Sequence, residues 1–389
     1  MLAIHGGKPV REDFLPYGQQ WLDEEDIQSV LETLKSPFIT QGPKIEEFEQ
    51  AVADYVGATY AVAFCNGTAA LHGACYAAGI NEGDEVITTP MTFVATSNSI
   101  LYAGGKPVFA DIDQHTYNIS PDEIAKKITS RTKAVIAVDY TGQPADLDRI
   151  KEICHANQLV FIEDAAHSIG AEYKGKKVGT QADMTMFSFH PVKHITTAEG
   201  GMIVTNNAEH AEKLRLFRSH GITKDKMLKD EGPWYYEMHD LGMNYRMTDL
   251  QAALGVSQLK RLDTFVDLRR KWAAMYTEAF QELEGVQPPY QHPDGDSSWH
   301  LYMLKLELDK LSMSRREIFD ALRAENIGVH VHYIPVHLQP YYQQLGYQKG
   351  DYPIAENWYE TALTLPLFPK MSTGDVESVI AAVKKVIQK

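Results

Sequence analysis

Lys193 lies between two short apolar segments, MTMFSF (184–189) and MIVT (202–205), in the connecting stretch SFHPVKHITTAEGG (188–201). Two buried strands on either side would remove Lys193 from water. Burial disfavours the ammonium form and lowers the lysine pKa. A neutral lysine amine is a nucleophile that attacks carbonyl carbons. A solvated loop lysine is the plain alternative, which this stretch alone does not exclude.

A carboxylate and an anion-binding turn are expected at the ends of two other strands. Asp164 follows the apolar segment LVFIE (159–163), and Asn66-Gly67-Thr68 follow YAVAF (60–64) and begin a helix rich in small residues. The free N–H groups at a helix start and the Thr68 hydroxyl suit a phosphate. A helix N-cap at Asp164 and an ordinary capped helix after residue 66 are the structural alternatives.

Together these features match what pyridoxal 5'-phosphate (PLP) requires. Its aldehyde needs a lysine, its ring nitrogen needs an acidic partner to stay protonated, and its phosphate needs a helix N-terminus with hydroxyl donors. Each signal alone is weak, but Thr68, Asp164, Ser188 and Lys193 occur in an order that favours PLP binding.

The elements that must position these residues are short apolar strands that alternate with helical segments from residue 60 to about residue 205. This pattern predicts an α/β fold with a mostly parallel sheet between helices, whose functional residues lie at the carboxyl ends of the strands. We predict a large domain with an irregular N-terminal arm over residues 1–265. A smaller C-terminal α+β domain is predicted over residues 266–389, with strands at 299–308 and 328–337.

Composition limits the function classes. The chain has 389 residues, of which 44% are hydrophobic and 23% charged, and its formal net charge is −15. This charge argues against a nucleic-acid binder, which needs a basic face. The sequence shows neither an apolar membrane span nor the apolar core of a signal peptide, and its three cysteines form no disulfide or metal pattern. We therefore expect a cytoplasmic protein with no membrane or nucleic-acid partner.

The sequence resembles the nucleotide-sugar aminotransferases of the DegT/StrS type, which have the type I PLP-dependent transferase fold. The resemblance covers essentially the whole chain. It is carried by NGTAAL (66–71), TFVAT (92–96), EDAAHS (163–168), the 188–201 stretch and GMNYRMTDLQAALG (242–255).

The resemblance implies a role for each matching residue. Lys193 would bond to the cofactor aldehyde, Asp164 would pair with the ring nitrogen, and Phe93 would stack on the ring. Further cofactor contacts are implied for Gly67, Thr68, Ala69 (through its N–H), His167, Ser188 and Asn244. In the family the residue that matches Asn244 reaches the phosphate of the partner subunit, so a homodimer with shared active sites is expected.

The resemblance also implies L-glutamate as amino donor and a keto nucleotide sugar as acceptor. SFHPVK (188–193) and RSHGI (218–222) are most similar to pseudaminic acid transaminases, which favours UDP-2-acetamido-2,6-dideoxy-β-L-arabino-hex-4-ulose. Spore-coat polysaccharide aminotransferases share WYYE (234–237) and HPDG (292–295), so both assignments stay open. Candidate substrate contacts are Tyr17, His190, His220, His330 and His332.

Three alternatives compete with this interpretation. His330, His332 and His337 suggest a metal site, but no carboxylate lies nearby in the sequence and sugar or phosphate contacts suit them as well, so no metal is expected. A related PLP branch that removes a sugar hydroxyl carries histidine where this chain has Lys193. A non-catalytic regulatory relative would have lost site residues that are all present here.

Overall fold

The computed structural model describes residues 1–223 and 232–388, in which the strands are short and the helices surround them. The strands are β1 (Tyr60–Phe64), β2 (Glu85–Thr88), β3 (Lys106–Phe109), β4 (Thr132–Val138), β5 (Val160–Asp164), β6 (Glu172–Tyr173), β7 (Lys176–Lys177), β8 (Met184–Ser188), β9 (Gly201–Thr205), β10 (Ile222–Thr223), β11 (Glu237–Met238), β12 (Val286–Gln287), β13 (Gly295–Asp296), β14 (Tyr302–Leu306) and β15 (Ala362–Leu365). The helices are α1 (Glu24–Lys35), α2 (Pro43–Val56), α3 (Gly67–Ala77), α4 (Ala95–Tyr102), α5 (Pro121–Lys127), α6 (Leu147–Ala156), α7 (Ala208–Arg218), α8 (Asp249–Leu259), α9 (Leu262–Phe280), α10 (Arg315–Ala324), α11 (Pro340–Gln344), α12 (Pro353–Thr361) and α13 (Thr373–Ile387).

A seven-stranded sheet with the order β1-β9-β8-β5-β4-β2-β3 forms the centre of the larger part of the protein. The pairs from β8 to β3 are parallel, whereas β9 runs antiparallel to both β8 and β1. The strands are almost wholly buried because helices cover both faces. The prediction of a mostly parallel sheet between helices is confirmed.

Helix α3 lies very close to the sheet because its side chains are small. A Cβ atom at Gly73 would lie 2.8 Å from the Phe64 ring on β1. The helix begins directly after β1, with Asn66 as its N-cap. The strand and the close packing therefore fix the N-terminus of α3 at the carboxyl end of β1.

The C-terminal part contains a second, antiparallel sheet with the order β12-β14-β15. Helices α9, α10 and α13 supply about half of the side chains of its core, including Trp272, Leu322 and Val383. The predicted domain boundary at residue 265 falls inside α9, so the division at that residue stays a prediction.

The predicted strand at residues 328–337 is wrong. This segment makes only an isolated bridge, between His330 and Thr364, and continues as an irregular chain into a 3-10 helix at Val336–Leu338. Separate contacts hold its backbone instead of a ladder: the Tyr140 hydroxyl donates to the His332 carbonyl, and Val336 N–H donates to the Pro90 carbonyl at 2.8 Å. On either side of residues 224–231, which lie outside the described ranges, β10 and β11 pair in antiparallel fashion. Within the described ranges, no helix combines the length and apolar character needed to cross a membrane.

Gly201 offers a test of how tightly β9 is packed against the start of α3. A Cβ atom at Gly201 would lie 2.6 Å from the Asn66 carbonyl oxygen, which belongs to the backbone and cannot rotate away. We expect Gly201→Ala to lower the free energy of unfolding by about 1–3 kcal/mol, as overpacking commonly does. Urea unfolding monitored by circular dichroism measures the change.

Gly295→Ala is the matched control, because its Cβ atom would meet Pro144 Cδ at an ordinary 3.5 Å. Equal stabilities of the two variants would contradict this account of the packing.

Candidate active site

Lys193 is held by an ordered loop, residues 189–200, between β8 and β9. Phe189 N–H donates to the Gly200 carbonyl at 2.9 Å and Thr197 N–H donates to the Phe189 carbonyl at 3.0 Å, which closes the base of the loop. Lys193 N–H donates to the His190 carbonyl at 2.9 Å. Both ends of the loop continue buried strands, and Lys193 between them is half-buried.

The Lys193 side chain enters a cavity of about 590 Å³ at the carboxyl ends of the strands. Most of the predicted site residues line this cavity: Tyr17, Gly67, Thr68, Phe93, Asp164, His167, Ser188, His190, Lys193, His330 and His332. They come from the N-terminal arm, the ends of four strands (β1, β2, β5 and β8) and the irregular segment after α10. The fold therefore brings together residues that are more than 300 positions apart in the sequence.

Three predicted site residues lie outside the cavity lining. The buried Ala69 N–H donates to Asn66 Oδ1 at 2.8 Å, as the capped helix start requires. His220 is exposed, and its N–H donates to the Met243 carbonyl. Asn244 is also exposed, and its backbone forms an isolated antiparallel β-bridge with Ser219. The roles predicted for these three residues stay predictions.

Asp164 ends β5 and presents a buried carboxylate to the cavity. Its oxygens accept hydrogen bonds from Thr96 Oγ1 at 2.7 Å and from Ala166 N–H at 3.2 Å. Burial raises the Asp164 pKa, while these two donors and the charge of Lys193 act to lower it. Both donors are uncharged groups. They fix the orientation of the carboxylate but leave its negative charge in place, so Asp164 can still accept a hydrogen bond from a cationic N–H donor in the cavity.

Burial changes the pKa of the Lys193 amine in the opposite direction to that of Asp164. Burial lowers the Lys193 pKa to about 7, the charge of Asp164 raises it, and Arg269 lowers it further. A neutral amine is therefore far more accessible at neutral pH for Lys193 than for an ordinary lysine. The direction of this shift agrees with the sequence argument for Lys193, and the role of Lys193 stays a prediction.

The start of α3 lies beside Ser188 and forms a cradle for an anion. A Cβ atom at Gly67 would be 3.4 Å from both Ser188 Cβ and Ser188 Oγ, so the two residues border the same space. The first N–H groups of a helix lack acceptors within the helix, and they attract negative charge. Thr68 adds a hydroxyl to this wall of the cavity.

Aromatic and imidazole rings form the other walls. Tyr17 contacts His330 and His332 at ring-centroid distances of 5.2 and 5.3 Å, and the two histidine rings are 4.5 Å apart. They lie together although the strand that was predicted to align them is absent. Phe93 is 57% exposed at the cavity mouth, with its ring centroid 6.1 Å from that of Tyr333.

The sequence did not assign a role to Thr96, Tyr333 or His300, all of which line this cavity. Tyr333 Oη lies 3.1 Å from His167 Nε2, and His300 Nε2 lies 3.4 Å from Lys193 Nζ. Thr96 stands within the TFVAT motif and was open to assignment. Tyr333 and His300 were hidden inside segments that were predicted to be strands.

Two further buried carboxyl groups, those of Glu163 and Asp139, form a pair behind Asp164. Glu163 precedes Asp164 on β5, so its side chain points to the opposite face of the sheet, where Thr185 Oγ1 donates to it at 2.8 Å. Burial and the charge of Asp139 raise the Glu163 pKa well above its usual value, and burial raises the pKa of Asp139 to about 7. One of the two carboxyls therefore keeps its proton at neutral pH.

The histidines do not assemble into a metal centre. Within residues 1–223 and 232–388 no group of three or more histidine, cysteine, aspartate or glutamate side chains could hold a metal ion. The third histidine of the predicted segment, His337, is fully buried, and its Nε2 lies 2.9 Å from Glu356 Oε1.

These residues fit PLP on the structural observations alone: a desolvated lysine amine, a buried carboxylate with only neutral donors, and an anion cradle at Gly67 and Ser188. A sequence profile of the DegT/DnrJ/EryC1/StrS aminotransferase family matches residues 20–384. The chain belongs to this family. Membership confirms the resemblance on which the residue roles were based.

Relatives of this DegT-family chain match it over nearly its full length. It is 45% identical to the spore coat polysaccharide biosynthesis protein SpsC of Bacillus subtilis, covering 97% of this chain and 98% of SpsC. The structure is similar to Helicobacter pylori PseC, an aminotransferase involved in the biosynthesis of pseudoaminic acid, with a TM-score of 0.90 and 35% identity over 97% of this chain and all of PseC.

The Spr1654 protein of Streptococcus pneumoniae, solved in its PLP form, has a TM-score of 0.90 and 31% identity over 96% of this chain and 99% of its own. The fold is that of the PLP-dependent aminotransferases, and PLP is the cofactor of this family.

The lowered pKa of Lys193 is directly testable. In the cofactor-free, full-length protein, we expect the rate of Lys193 acylation by a small anhydride to rise with pH through about 7, because only the neutral amine reacts. Peptide mass spectrometry resolves Lys193 from the exposed Lys176, which serves as the solvated control. Equal profiles for the two lysines would show that Lys193 is solvated.

Proposed function

We propose that this protein transfers the amino group of L-glutamate to the keto carbon of a 4-keto-6-deoxy nucleotide sugar. The observation that carries the proposal is that Lys193 and the buried Asp164 carboxylate line one cavity, where burial lowers the Lys193 pKa to about 7. A transaminase needs both groups: a nucleophilic amine that also moves protons, and a fixed anion opposite the ring nitrogen of its cofactor.

When bound, PLP supplies an aldehyde for amine exchange and a ring that accepts an electron pair from the amino acid's α carbon. Asp164, held by Thr96 and Ala166, keeps a proton on the ring nitrogen and so preserves that capacity. The Lys193 amine accepts the α-carbon proton as a general base and donates it again as an ammonium acid. A pKa near 7 lets Lys193 serve in both directions at neutral pH.

The start of α3 would bind the phosphate of the cofactor, because Gly67, Thr68 and Ser188 border one space there. The site also has to admit two different substrates, an amino acid and a nucleotide sugar. Tyr17, His330 and His332 form the wall nearest the N-terminal arm, and neutral imidazoles there can bond sugar hydroxyls or a phosphate. Burial lowers the His332 pKa to about 3, so this ring is neutral at physiological pH.

Two acceptor sugars remain candidates. Similarity to PseC favours the keto sugar of pseudaminic acid synthesis, UDP-2-acetamido-2,6-dideoxy-β-L-arabino-hex-4-ulose. Identity to SpsC is higher, 45% against 35%, and favours an acceptor used in spore-coat polysaccharide synthesis. Both acceptor sugars must meet the same chemical requirement. Their ketone carbon has to reach the amino nitrogen that the cofactor would carry in the cavity.

We further propose a homodimer in which Asn244 serves the active site of the partner subunit. Asn244 is exposed and lies outside the cavity lining of its own chain. Helix α1 also presents apolar side chains to solvent, among them Ile27, Leu31 and Leu34. An apolar helix face of this kind is typical of surfaces that are covered by a second subunit.

The proposed reaction can be followed by absorbance of the purified, PLP-loaded protein. L-Glutamate should bleach the visible band and release 2-oxoglutarate, and the correct 4-keto nucleotide sugar should restore the band. Lys193→Ala should abolish both changes but leave the unfolding transition in place, whereas Lys176→Ala, an exposed change, should behave as the wild type. A visible band that glutamate leaves unchanged would refute glutamate as donor.

Shared active sites predict which mutant pairs complement each other. In hybrid dimers of Lys193→Ala with Asn244→Ala subunits, one site receives both intact residues, so we expect about half of wild-type activity. The matched control carries both substitutions on one subunit beside a wild-type subunit, and should have little activity because each site lacks one residue. Differently tagged, co-expressed chains allow purification of each hybrid. The reverse ranking of the two hybrids would place Asn244 in its own subunit's site.

A further inference from the structure

His300 is the side chain whose ring nitrogen approaches the Lys193 amine. Its Nε2 lies 3.4 Å from Lys193 Nζ, and the ring is only 3% exposed. The centroid of the neighbouring His167 ring is 4.4 Å away. Within the described residues, His300 Nδ1 has no hydrogen-bond partner. The polar contact of the ring is therefore the one that its Nε2 makes with Lys193 Nζ.

The backbone around His300 is fixed to the large sheet and to α9. Arg269, fully buried on α9, donates from Nη1 to the His300 carbonyl at 3.1 Å and to the Leu367 carbonyl at 2.9 Å. Ser298 N–H donates to the Gly142 carbonyl at 3.0 Å. Gly142 has a φ of +104°, and a Cβ atom there would lie 2.8 Å from His300 N. The position of the ring is therefore built into the fold.

The environment keeps the His300 ring uncharged. Burial lowers the pKa of His300 well below its usual value, and the positive charges of Lys193 and Arg269 lower it further. A neutral imidazole has one N–H group and one acceptor nitrogen. With the proton on Nδ1, Nε2 can accept a hydrogen bond from Lys193 Nζ whether the lysine is an amine or an ammonium.

We propose that His300 is a positioning residue for Lys193, and that its Nε2 accepts a hydrogen bond from the lysine whenever Lys193 is a free amine. The bond restricts rotation of the amine and so directs its lone pair into the cavity. When Lys193 takes up a proton, the same bond becomes charge-assisted and stronger, and the proton stays on the lysine. The proposal rests on the role of Lys193 in the proposed function.

A hydrogen bond that is stronger to the ammonium than to the amine raises the Lys193 pKa and partly offsets the effect of burial. The other ionisable groups that act on Lys193 remain in place when His300 is replaced: Asp164, His167, His194, Arg269 and His332. Removal of the acceptor should therefore lower the Lys193 pKa below that of the wild type.

Anhydride labelling of Lys193 in the cofactor-free, full-length protein tests this without reference to turnover. His300→Leu removes the acceptor at similar volume, and we expect its Lys193 labelling profile to move to lower pH. His300→Gln is the matched variant, because its Oε1 can replace Nε2 as an acceptor, and we expect a profile close to that of the wild type. His300→Phe is a second apolar variant for use if His300→Leu does not fold.

The rate of the glutamate half-reaction in the PLP-loaded variants is a second measurement. We expect a decrease of about tenfold or more for the apolar variants, as for the loss of a hydrogen bond to a charged group, and recovery in His300→Gln. Wild-type labelling profiles and rates in the apolar variants would overturn the proposal while the proposed function stands. Equal loss in the apolar and glutamine variants would also overturn it, since the ring would then only fill space. If wild-type protein is not bleached by glutamate, the donor assignment fails, and the labelling profiles still decide the role of His300.

Discussion

Removal of the Lys193 amine from water is the physical constraint on which the rest of the site depends. An ammonium group loses much of its hydration when it is buried, so the protein must either pair it or let it lose its proton. Here the β8–β9 loop closes on itself through Phe189, Thr197 and Gly200, and holds the side chain inside. The Asp164 carboxylate offsets only part of the desolvation, so the Lys193 pKa stays lowered, at about 7.

The neutral histidines around Lys193 follow from the same constraint. His167, His194 and His300 are all buried, and the charge of Lys193 contributes to lowering each of their pKa values. A cavity that contained several imidazolium ions would repel both the lysine and the buried Arg269. Neutral rings instead provide acceptors and apolar surface together, which suits a site where one proton moves repeatedly.

The sequence was sufficient to predict the sheet and most of the cavity, because the pattern and the chemistry agreed there. Apolar strands ended at Asp164 and at the Asn66–Thr68 turn, and the burial that the flanking strands imply for Lys193 is what the structure contains. The irregular segment after Ile327 could not be predicted, because alternating apolar and polar residues also arise where side-chain contacts replace a ladder. His300 was missed since its position depends on Arg269 and Gly142, whose proximity is a tertiary property.

The packing of α3 links cofactor binding to the stability of the folded protein. The anion cradle is the first turn of a helix whose other turns lie in the main core, between β1 and α7. A ligand that binds only the folded chain stabilises it by an amount that grows with the logarithm of its free concentration. Cofactor supply would thus influence the amount of folded protein as well as its activity, because a chain without cofactor lacks this added stability.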